Sequence, residues 1–259
     1  MTDYEAVILD VDGTIVRGES LLPGATDALQ TLEAAGCSRL LFSNNPTRGS
    51  NHYREKFAPY GIDVDPTTVL TSATVSADYL AATHDGERVF LVGGDRLEAI
   101  LEDAAVELTT DPDAAEVVLG SFDKHFSFGT LWEALRALEE DVPFYGTDPD
   151  ATIPIDEGEI PGSGAILAAM EAVAGREPDA ILGKPSAAAA AAAMDRLETD
   201  PGKTLVVGDR LDTDIVLGNR AGMETALVLT GVTDRTALAS SDVEPDHVLE
   251  SLAAVDTLL

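Results

Sequence analysis

The chain of 259 residues contains very little cysteine and few basic residues. Cys37 is its only cysteine, which excludes an intramolecular disulfide and a metal cluster built on cysteines. Lysine and arginine number 16 against 47 aspartates and glutamates, so the formal net charge is −31. Proteins that bind nucleic acid or an anionic membrane surface need clustered basic side chains. The charge therefore argues against both classes of partner.

Long apolar runs are also missing. Only five residues precede the first apolar stretch, and they form no basic leader. Because no run of ~20 apolar residues occurs, we expect a soluble cytoplasmic protein with neither signal peptide nor membrane span. The acidic residues are spread along the chain without an acidic tail, which is typical of a solvated surface in a salt-adapted cytosol.

Apolar strand patterns and helical patterns alternate along the whole sequence. Such alternation predicts an α/β fold with a doubly wound parallel sheet covered by helices on both faces. We expect strands at 6–9, 40–43, 88–92, 117–120, 143–145, 204–207 and 226–229. We expect helices at 23–35, 47–60, 97–104, 128–139, from 186 through an alanine run, and at 213–221.

Two aspartates follow the first predicted strand. Asp10 and Asp12 are separated by one residue, and Gly13 then allows the chain to turn. In open α/β sheets, ligands bind at the carboxyl ends of the strands, where these carboxylates would lie. An acidic turn without function explains the pattern equally well in so acidic a chain, and a short motif alone is only a hypothesis.

Two further strand ends carry groups suited to an anion. Ser43, Asn44 and Asn45 follow the second strand and precede a helix, where hydroxyl, amide and backbone donors can bind an anion. A polar turn capped by Thr47 is at least as common an arrangement. Lys184, one of only four lysines, lies between glycine and proline rather than on a helix face.

The last such strand end is the richest in carboxylates. Asp209 follows the strand at 204–207, and Asp214 lies about one helical turn further on. Carboxylates gathered from two strand ends, without histidine or cysteine, form a hard-oxygen site of the kind that Mg²⁺ prefers.

The four motifs together resemble the haloacid-dehalogenase-like hydrolase superfamily. They are D-x-D-G-T at 10–14, S-N-N at 43–45, G-K-P at 183–185 and G-D-R-L-D-T-D at 208–214. The resemblance is closest to the large-cap branch (subfamily IIA), which includes p-nitrophenyl, phosphoglycolate and nucleotide phosphatases. It implies a Rossmann-like core at 1–78 and 179–259 and an inserted, smaller α/β cap domain at 79–178.

The same resemblance implies an enzyme, a phosphoric monoester hydrolase with Mg²⁺ as cofactor. Asp10 would be the nucleophile of an aspartyl-phosphate route and Asp12 the general acid and base. Asp10, Asp12 through its carbonyl, and Asp209 would hold the metal, with Asp214 orienting these ligands. Ser43, Asn44, Asn45 and Lys184 would bind the phosphoryl group of a small sugar, glycolate, glycerol or nucleoside phosphate.

Asp148 departs from the family pattern, which has asparagine there. A carboxylate facing the substrate would select against ligands that carry a carboxylate, whereas a surface acid would have no effect on selection. Two alternatives to a phosphatase share the scaffold: a phosphotransferase that uses an acceptor alcohol, and a phosphate-responsive regulatory module without catalysis. A homodimer is compatible with the sequence, which does not specify an oligomeric state.

Overall fold

The computed structural model of the protein describes residues 4–155 and 158–259. Strands and helices alternate through most of this length. The strands are β1 (Ala6–Leu9), β2 (Val16–Arg17), β3 (Ser20–Leu21), β4 (Ser38–Ser43), β5 (Val69–Thr71), β6 (Val89–Val92), β7 (Leu108–Thr109), β8 (Val117–Gly120), β9 (Phe144–Gly146), β10 (Thr152–Ile155), β11 (Gly158–Pro161), β12 (Ala180–Ile181), β13 (Thr204–Gly208), β14 (Glu224–Val228) and β15 (His247–Leu249). The helices are α1 (Ala25–Ala34), α2 (Ser50–Phe57), α3 (Ser72–Thr83), α4 (Asp95–Asp103), α5 (Phe128–Ala137), α6 (Ser163–Ala174), α7 (Ala187–Leu197), α8 (Val216–Ala221) and α9 (Arg235–Ala239).

The chain folds into two compact units. The first consists of the described residues up to Ser43 together with Ser50–Leu70 and Ala189–Leu259. The second consists of Asn44–Gly49 and Thr71–Ala188. The second unit is thus inserted into the sequence of the first, in agreement with a core that carries an inserted α/β domain.

The first unit is built on a six-stranded sheet with the order β15-β14-β13-β1-β4-β5. Strand β1 lies in its interior and pairs in parallel with β13 on one side and β4 on the other. All four residues of β1 are buried, as expected for a strand covered on both faces. A cluster of buried side chains from β1, β4, β13 and α1 forms the core of this unit.

The second unit is built on a five-stranded sheet with the order β12-β9-β8-β6-β7, in which every neighbouring pair is parallel. Strands β10 and β11 form a separate antiparallel hairpin. The sheet packs against α3 and α4 through one apolar cluster and against α5 and α6 through another.

The chain passes from one unit to the other at residues that differ from the predicted boundaries. The predicted boundary between 78 and 79 falls inside α3, whose N-terminus is fixed by reciprocal hydrogen bonds between Thr71 and Thr74. The predicted boundary between 178 and 179 lies just before β12, which pairs with β9 of the second unit. Contacts therefore assign residues 71–78 and 179–188 to the second unit.

Most predicted elements lie within one to three residues of those observed. The helix expected at 213–221 is confirmed, although it begins two residues earlier as a π-helical turn at Leu211–Ile215 and is α-helical only over Val216–Ala221. The alanine run forms α7, with Ala189 and Ala193 buried one turn apart. Among the described residues, no helix is both long and apolar enough to cross a bilayer.

Candidate active site

Two neighbouring strands of the first unit bring Asp10 and Asp209 together. Asp10 directly follows β1, and Asp209 directly follows β13. The two strands pair in register through Leu9 and Val207, and the Asp10 amide donates to the Val207 carbonyl at 2.9 Å. Parallel strands end at the same edge of a sheet, so both carboxylates lie there, as the sequence predicted.

Asp214 completes an acidic cluster with these two residues. One carboxylate oxygen from each of Asp10, Asp209 and Asp214 lies within 4.8 Å of the others, and all three side chains are buried. The π-helical turn after β13 returns Asp214 to the strand end, where its Oδ2 accepts from the Arg210 amide at 3.2 Å. Three buried carboxylates this close repel one another unless a cation or protons compensate their charge.

The backbone of two glycines, Gly13 and Gly231, lies directly against the carboxylate of Asp209. A Cβ atom at Gly13 would lie 2.4 Å from Asp209 Oδ2, and one at Gly231 would lie 1.8 Å from it. The same oxygen accepts from the Val232 amide at 2.6 Å. Glycine at 13 and 231 therefore allows the backbone to approach and orient this carboxylate.

Asp12 differs from the cluster because its side chain is half exposed. The Nζ atom of Lys56 lies 3.7 Å from Asp12 Oδ1, and the lysine itself is largely buried. Lys56 comes from α2, which is anchored through the buried side chains of Tyr53 and Phe57. Asp12, the predicted general acid, thus lies beside the ammonium of Lys56, which belongs to none of the predicted motifs.

The predicted phosphoryl-binding residues divide between the two units. Ser43 ends β4 of the first unit and is buried. In the second unit, the Asn44 side chain forms two hydrogen bonds with the backbone of Lys184. Its Nδ2 donates to the Lys184 carbonyl at 3.0 Å, and its Oδ1 accepts from the Lys184 amide at 2.9 Å. Asn45 Oδ1 accepts from the amide and hydroxyl of Thr47 at 2.8 and 2.9 Å.

Lys184 is a buried cation on a constrained strand end. Its side chain is 2% exposed, and the preceding Gly183 amide donates to the Thr147 carbonyl at 2.8 Å. A Cβ at Gly183 would lie 2.6 Å from that carbonyl oxygen and 2.8 Å from Asn44 Oδ1. Asn44 and Gly183 therefore fix the backbone from which the lysine side chain starts.

Asp148 is buried rather than exposed on the surface of the second unit. Its Oδ2 accepts from Thr147 Oγ1 at 2.9 Å, and Thr147 Oγ1 lies 2.8 Å from Ser121 Oγ. Burial, and next the charge of Asp150, raise the pKa of the Asp148 carboxyl to about 7. Of the two predicted roles, a solvated surface acid is wrong, and the selection of substrates by Asp148 stays a prediction.

Two contributions to this site escaped the sequence analysis. Lys56 had one signal, the scarcity of lysine in the chain, but it lies on a helix face where lysine is normally solvated. The Val232 amide had none, because a backbone donor is not encoded by residue type. Both depend on how the segments fold back toward β1.

Two family models match the chain, one in its N-terminal part and one in its C-terminal part. A family model described as haloacid dehalogenase-like hydrolase matches residues 7–107, and one described as HAD-hydrolase-like matches residues 181–255. The acid sugar phosphatase of Staphylococcus epidermidis is 32% identical over 252 residues, which are 97% of this chain and 96% of that protein.

Solved structures agree with the sequence matches. The p-nitrophenyl phosphatase from Archaeoglobus fulgidus has a TM-score of 0.94 at 32% identity, covering 99% of this chain and 100% of that chain. The glycerol phosphate phosphatase of Mycobacterium tuberculosis, solved in complex with magnesium, has a TM-score of 0.88 at 28% identity, covering 98% of this chain and 77% of that chain.

The order of the motifs, the strand ends that carry them, and these matches over nearly the full length agree with one another. The chain belongs to the haloacid-dehalogenase-like hydrolase superfamily, in its large-cap branch, and is a phosphoric monoester hydrolase.

Proposed function

We propose that the protein is a Mg²⁺-dependent phosphatase that hydrolyses small cytosolic phosphomonoesters through an aspartyl-phosphate on Asp10. The observation that carries this proposal is the buried cluster of Asp10, Asp209 and Asp214 at the carboxyl ends of β1 and β13. A carboxylate at this position is a recognised nucleophile in covalent phosphoryl transfer, and the cluster supplies only oxygen ligands.

The residues of the cluster fit a magnesium ion. Asp10 and Asp209 would hold the metal with their carboxylates, together with the backbone carbonyl of Asp12. Asp214 would orient these ligands or join them, since its oxygen lies within the same 4.8 Å. A bound Mg²⁺ would offset the negative charge of phosphoryl oxygens and carboxylates at the reacting centre.

The chain's own residues then divide the reaction into two steps. A carboxylate oxygen of Asp10 attacks phosphorus, the bond from phosphorus to the ester oxygen breaks, and the carboxyl of Asp12 gives its proton to that oxygen. In the second step, Asp12 as carboxylate takes a proton from water, whose oxygen attacks phosphorus. Inorganic phosphate leaves, and Asp10 is regenerated as a free carboxylate.

Ser43 and Lys184 are proposed to bind the oxygens of the transferring phosphoryl group, together with backbone amides at Asn44 and Asn45. The Asn44 and Asn45 side-chain oxygens accept from backbone amides of Lys184 and Thr47, which favours a role for their backbones in anion binding. A buried ammonium at Lys184 would compensate a phosphate dianion, and such preorganised charge favours the transition state.

Sugar and polyol phosphates are the substrate class that we favour. The relatives include an acid sugar phosphatase and a glycerol phosphate phosphatase. Asp148 stands where the family pattern has asparagine. Its Oδ2 accepts from the Thr147 hydroxyl at 2.9 Å and its Oδ1 from the Asp150 amide at 3.3 Å, so it would influence selection by holding the loop at 147–150.

The test combines the metal with the nucleophile. We expect hydrolysis of p-nitrophenyl phosphate and of a hexose phosphate with Mg²⁺, none with EDTA, and recovery when Mg²⁺ is restored. Asp10→Asn keeps the shape but removes the attacking charge, so kcat should fall by about 10³-fold or more. Asp246→Asn is the matched control, because that residue binds Thr225 in the same unit, away from the cluster. Full activity in EDTA, or in Asp10→Asn, would refute the proposal.

A further inference from the structure

The segment at 230–232 lies against the carboxylate of Asp209 but contributes no buried apolar side chain of its own. Thr230 is half-buried, Gly231 has no side chain, and the Val232 side chain is 59% exposed. The Val232 amide nevertheless donates to Asp209 Oδ2 at 2.6 Å, and a Cβ atom at Gly231 would lie 1.8 Å from the same oxygen. Because burial of apolar side chains does not hold the segment in this position, hydrogen bonds have to do so.

Two side-chain hydrogen bonds fix the start of the segment at Thr230. Thr230 Oγ1 donates to the Gly13 carbonyl at 2.6 Å, and the Arg17 guanidinium donates to the Thr230 carbonyl. The backbones of Gly13 and Gly231 are also close, because a Cβ atom at Gly13 would lie 3.1 Å from the Gly231 Cα. The segment is therefore tied to the residues that follow β1, and these residues belong to the same unit.

The guanidinium of Arg17 extends from a hairpin that is itself fixed. Strands β2 and β3 form this antiparallel hairpin, and the Tyr60 hydroxyl donates to the Glu19 carbonyl at its turn. Val16, next to Arg17, is buried, and its carbonyl accepts from the Gly13 amide at 2.7 Å. The hydrogen bond from the guanidinium thus starts on a constrained backbone, which limits the positions that the segment at 230–232 can take.

We propose that Arg17 is a positioning residue for the metal site, which it stabilises by holding the segment at 230–232 against Asp209. This role rests on the proposed function, in which Mg²⁺ binds at the cluster of Asp10, Asp209 and Asp214. Groups behind the metal ligands orient them, and their loss lowers metal affinity by roughly 10–100-fold. Because Arg17 acts on the ligand through the backbone of an exposed segment, we expect the smaller effect, about tenfold.

The positive charge of Arg17 gives this role a distinctive sign. By electrostatics alone, removal of a cation from a protein strengthens the binding of a divalent cation at a carboxylate cluster. A carboxylate that is no longer held in place binds the metal more weakly. Arg17→Met therefore separates the two effects by their direction.

The test measures Mg²⁺ binding to the whole chain by calorimetry, without substrate and after removal of metal with EDTA and dialysis. Arg17→Met should raise the Kd for Mg²⁺ by about tenfold, and Arg17→Lys should restore part of the affinity. Thr230→Val keeps the shape of the side chain but removes the donor to the Gly13 carbonyl, so it should raise the Kd by a similar factor. The hydrolysis of p-nitrophenyl phosphate that Arg17→Met loses at low Mg²⁺ should be recovered as Mg²⁺ is raised.

Arg235→Met is the matched control, because Arg235 pairs with Glu250 on the exposed surface of the same unit and its loss changes the net charge equally. It should leave the Kd for Mg²⁺ as in the wild type, and circular dichroism verifies that each variant is folded.

Unchanged or tighter Mg²⁺ binding in Arg17→Met, or in Thr230→Val, would overturn the role of Arg17 and leave the proposed function intact. A raised KM for substrate with an unchanged Kd for Mg²⁺ would do the same, since Arg17 would then act on the substrate. A wild-type protein that binds no Mg²⁺, or an Asp209→Asn variant that binds it as tightly as the wild type, would refute the proposed function and the role of Arg17 together.

Discussion

Because Lys56 lies beside Asp12, we expect this lysine to influence proton transfer. The ammonium lies 3.7 Å from Asp12 Oδ1, at a carboxyl that is proposed to give and take a proton during the reaction. A cation held at this distance by a largely buried side chain restricts the orientation of the carboxyl. Lys56 is thus a positioning residue, which acts on the substrate only through Asp12.

The loss of kcat on substitution of Lys56 should therefore depend on the leaving group of the substrate. Lys56→Met should lower kcat by about tenfold for an alkyl phosphate and by less for p-nitrophenyl phosphate, whose leaving group needs little protonation. In an Asp12→Asn background, the same substitution should have almost no further effect. Kinetics of the wild type, the two single variants and the double variant measure the coupling, and Lys56→Arg should restore part of kcat.

Lys203→Met is the matched control, because Lys203 pairs with Glu5 on the exposed surface of the same unit. It should leave both substrates unaffected. An equal loss for both leaving groups, or an undiminished effect of Lys56→Met in the Asp12→Asn background, would contradict a role through Asp12.

The Asp148 carboxyl should reveal its raised pKa through stability. Its pKa is about 7 in the folded protein and near 3.8 when unfolded, so the folded state retains a proton that the unfolded state loses as pH rises from about 4 to 7. This group therefore contributes stability at low pH that is lost as pH rises toward 7. About three pH units at roughly 1.4 kcal/mol each correspond to on the order of 4 kcal/mol.

Asp148→Asn should remove this dependence because an amide is neutral at every pH and matches the protonated acid in shape. Denaturant unfolding at pH 5 to 8.5 should show the variant gaining stability over the wild type as pH rises, with the difference levelling off above pH 7. Asp141→Asn, on an exposed acid of the same unit, should give a flat difference. A flat difference for Asp148→Asn as well would mean that the carboxyl is ionised over the whole range.

At the scale of elements, the sequence predicted best where strands are apolar runs of four or more residues. The bounds of β1 and β8 agree with the prediction, because a strand buried on both faces has a continuous apolar run. Strands β7 and β12 have two residues each and carry no detectable period. Helix α3 was not predicted, since its serines, threonines and valine favour other structures and its cap uses Thr74 instead of an acidic residue.

In the candidate site as well, the sequence predicted what a local pattern determines and missed what depends on tertiary packing. Asp10 and Asp209 were placed together from sequence because the ends of parallel strands share an edge. The distance from Lys56 to Asp12 follows from the packing of α2 through Tyr53 and Phe57, which no local pattern contains. Likewise, the π-helical turn that positions Asp214 has the same sequence pattern as an α-helix, and only its hydrogen bonds distinguish the two.

At the scale of the whole molecule, the charge excess should make stability depend on salt. Acidic residues outnumber basic ones by 47 to 16, and the repulsion among them is stronger in the compact folded state than in the expanded unfolded chain. Added salt shortens the screening length from about 10 Å at 0.1 M to about 3 Å at 1 M. The folded state should therefore gain stability as KCl is added.

Thermal unfolding from 0.01 to 3 M KCl tests this expectation. Each gain of about 1 kcal/mol in the free energy of unfolding raises Tm by roughly 2–4 °C in a chain of this size. If screening of carboxylates is the cause, most of the rise should occur below about 0.5 M and then flatten, and NaCl should act as KCl does. A Tm that stays constant to 0.5 M and rises only at molar salt would instead indicate that salt strengthens apolar burial, and would contradict a destabilising role for repulsion between the acidic side chains.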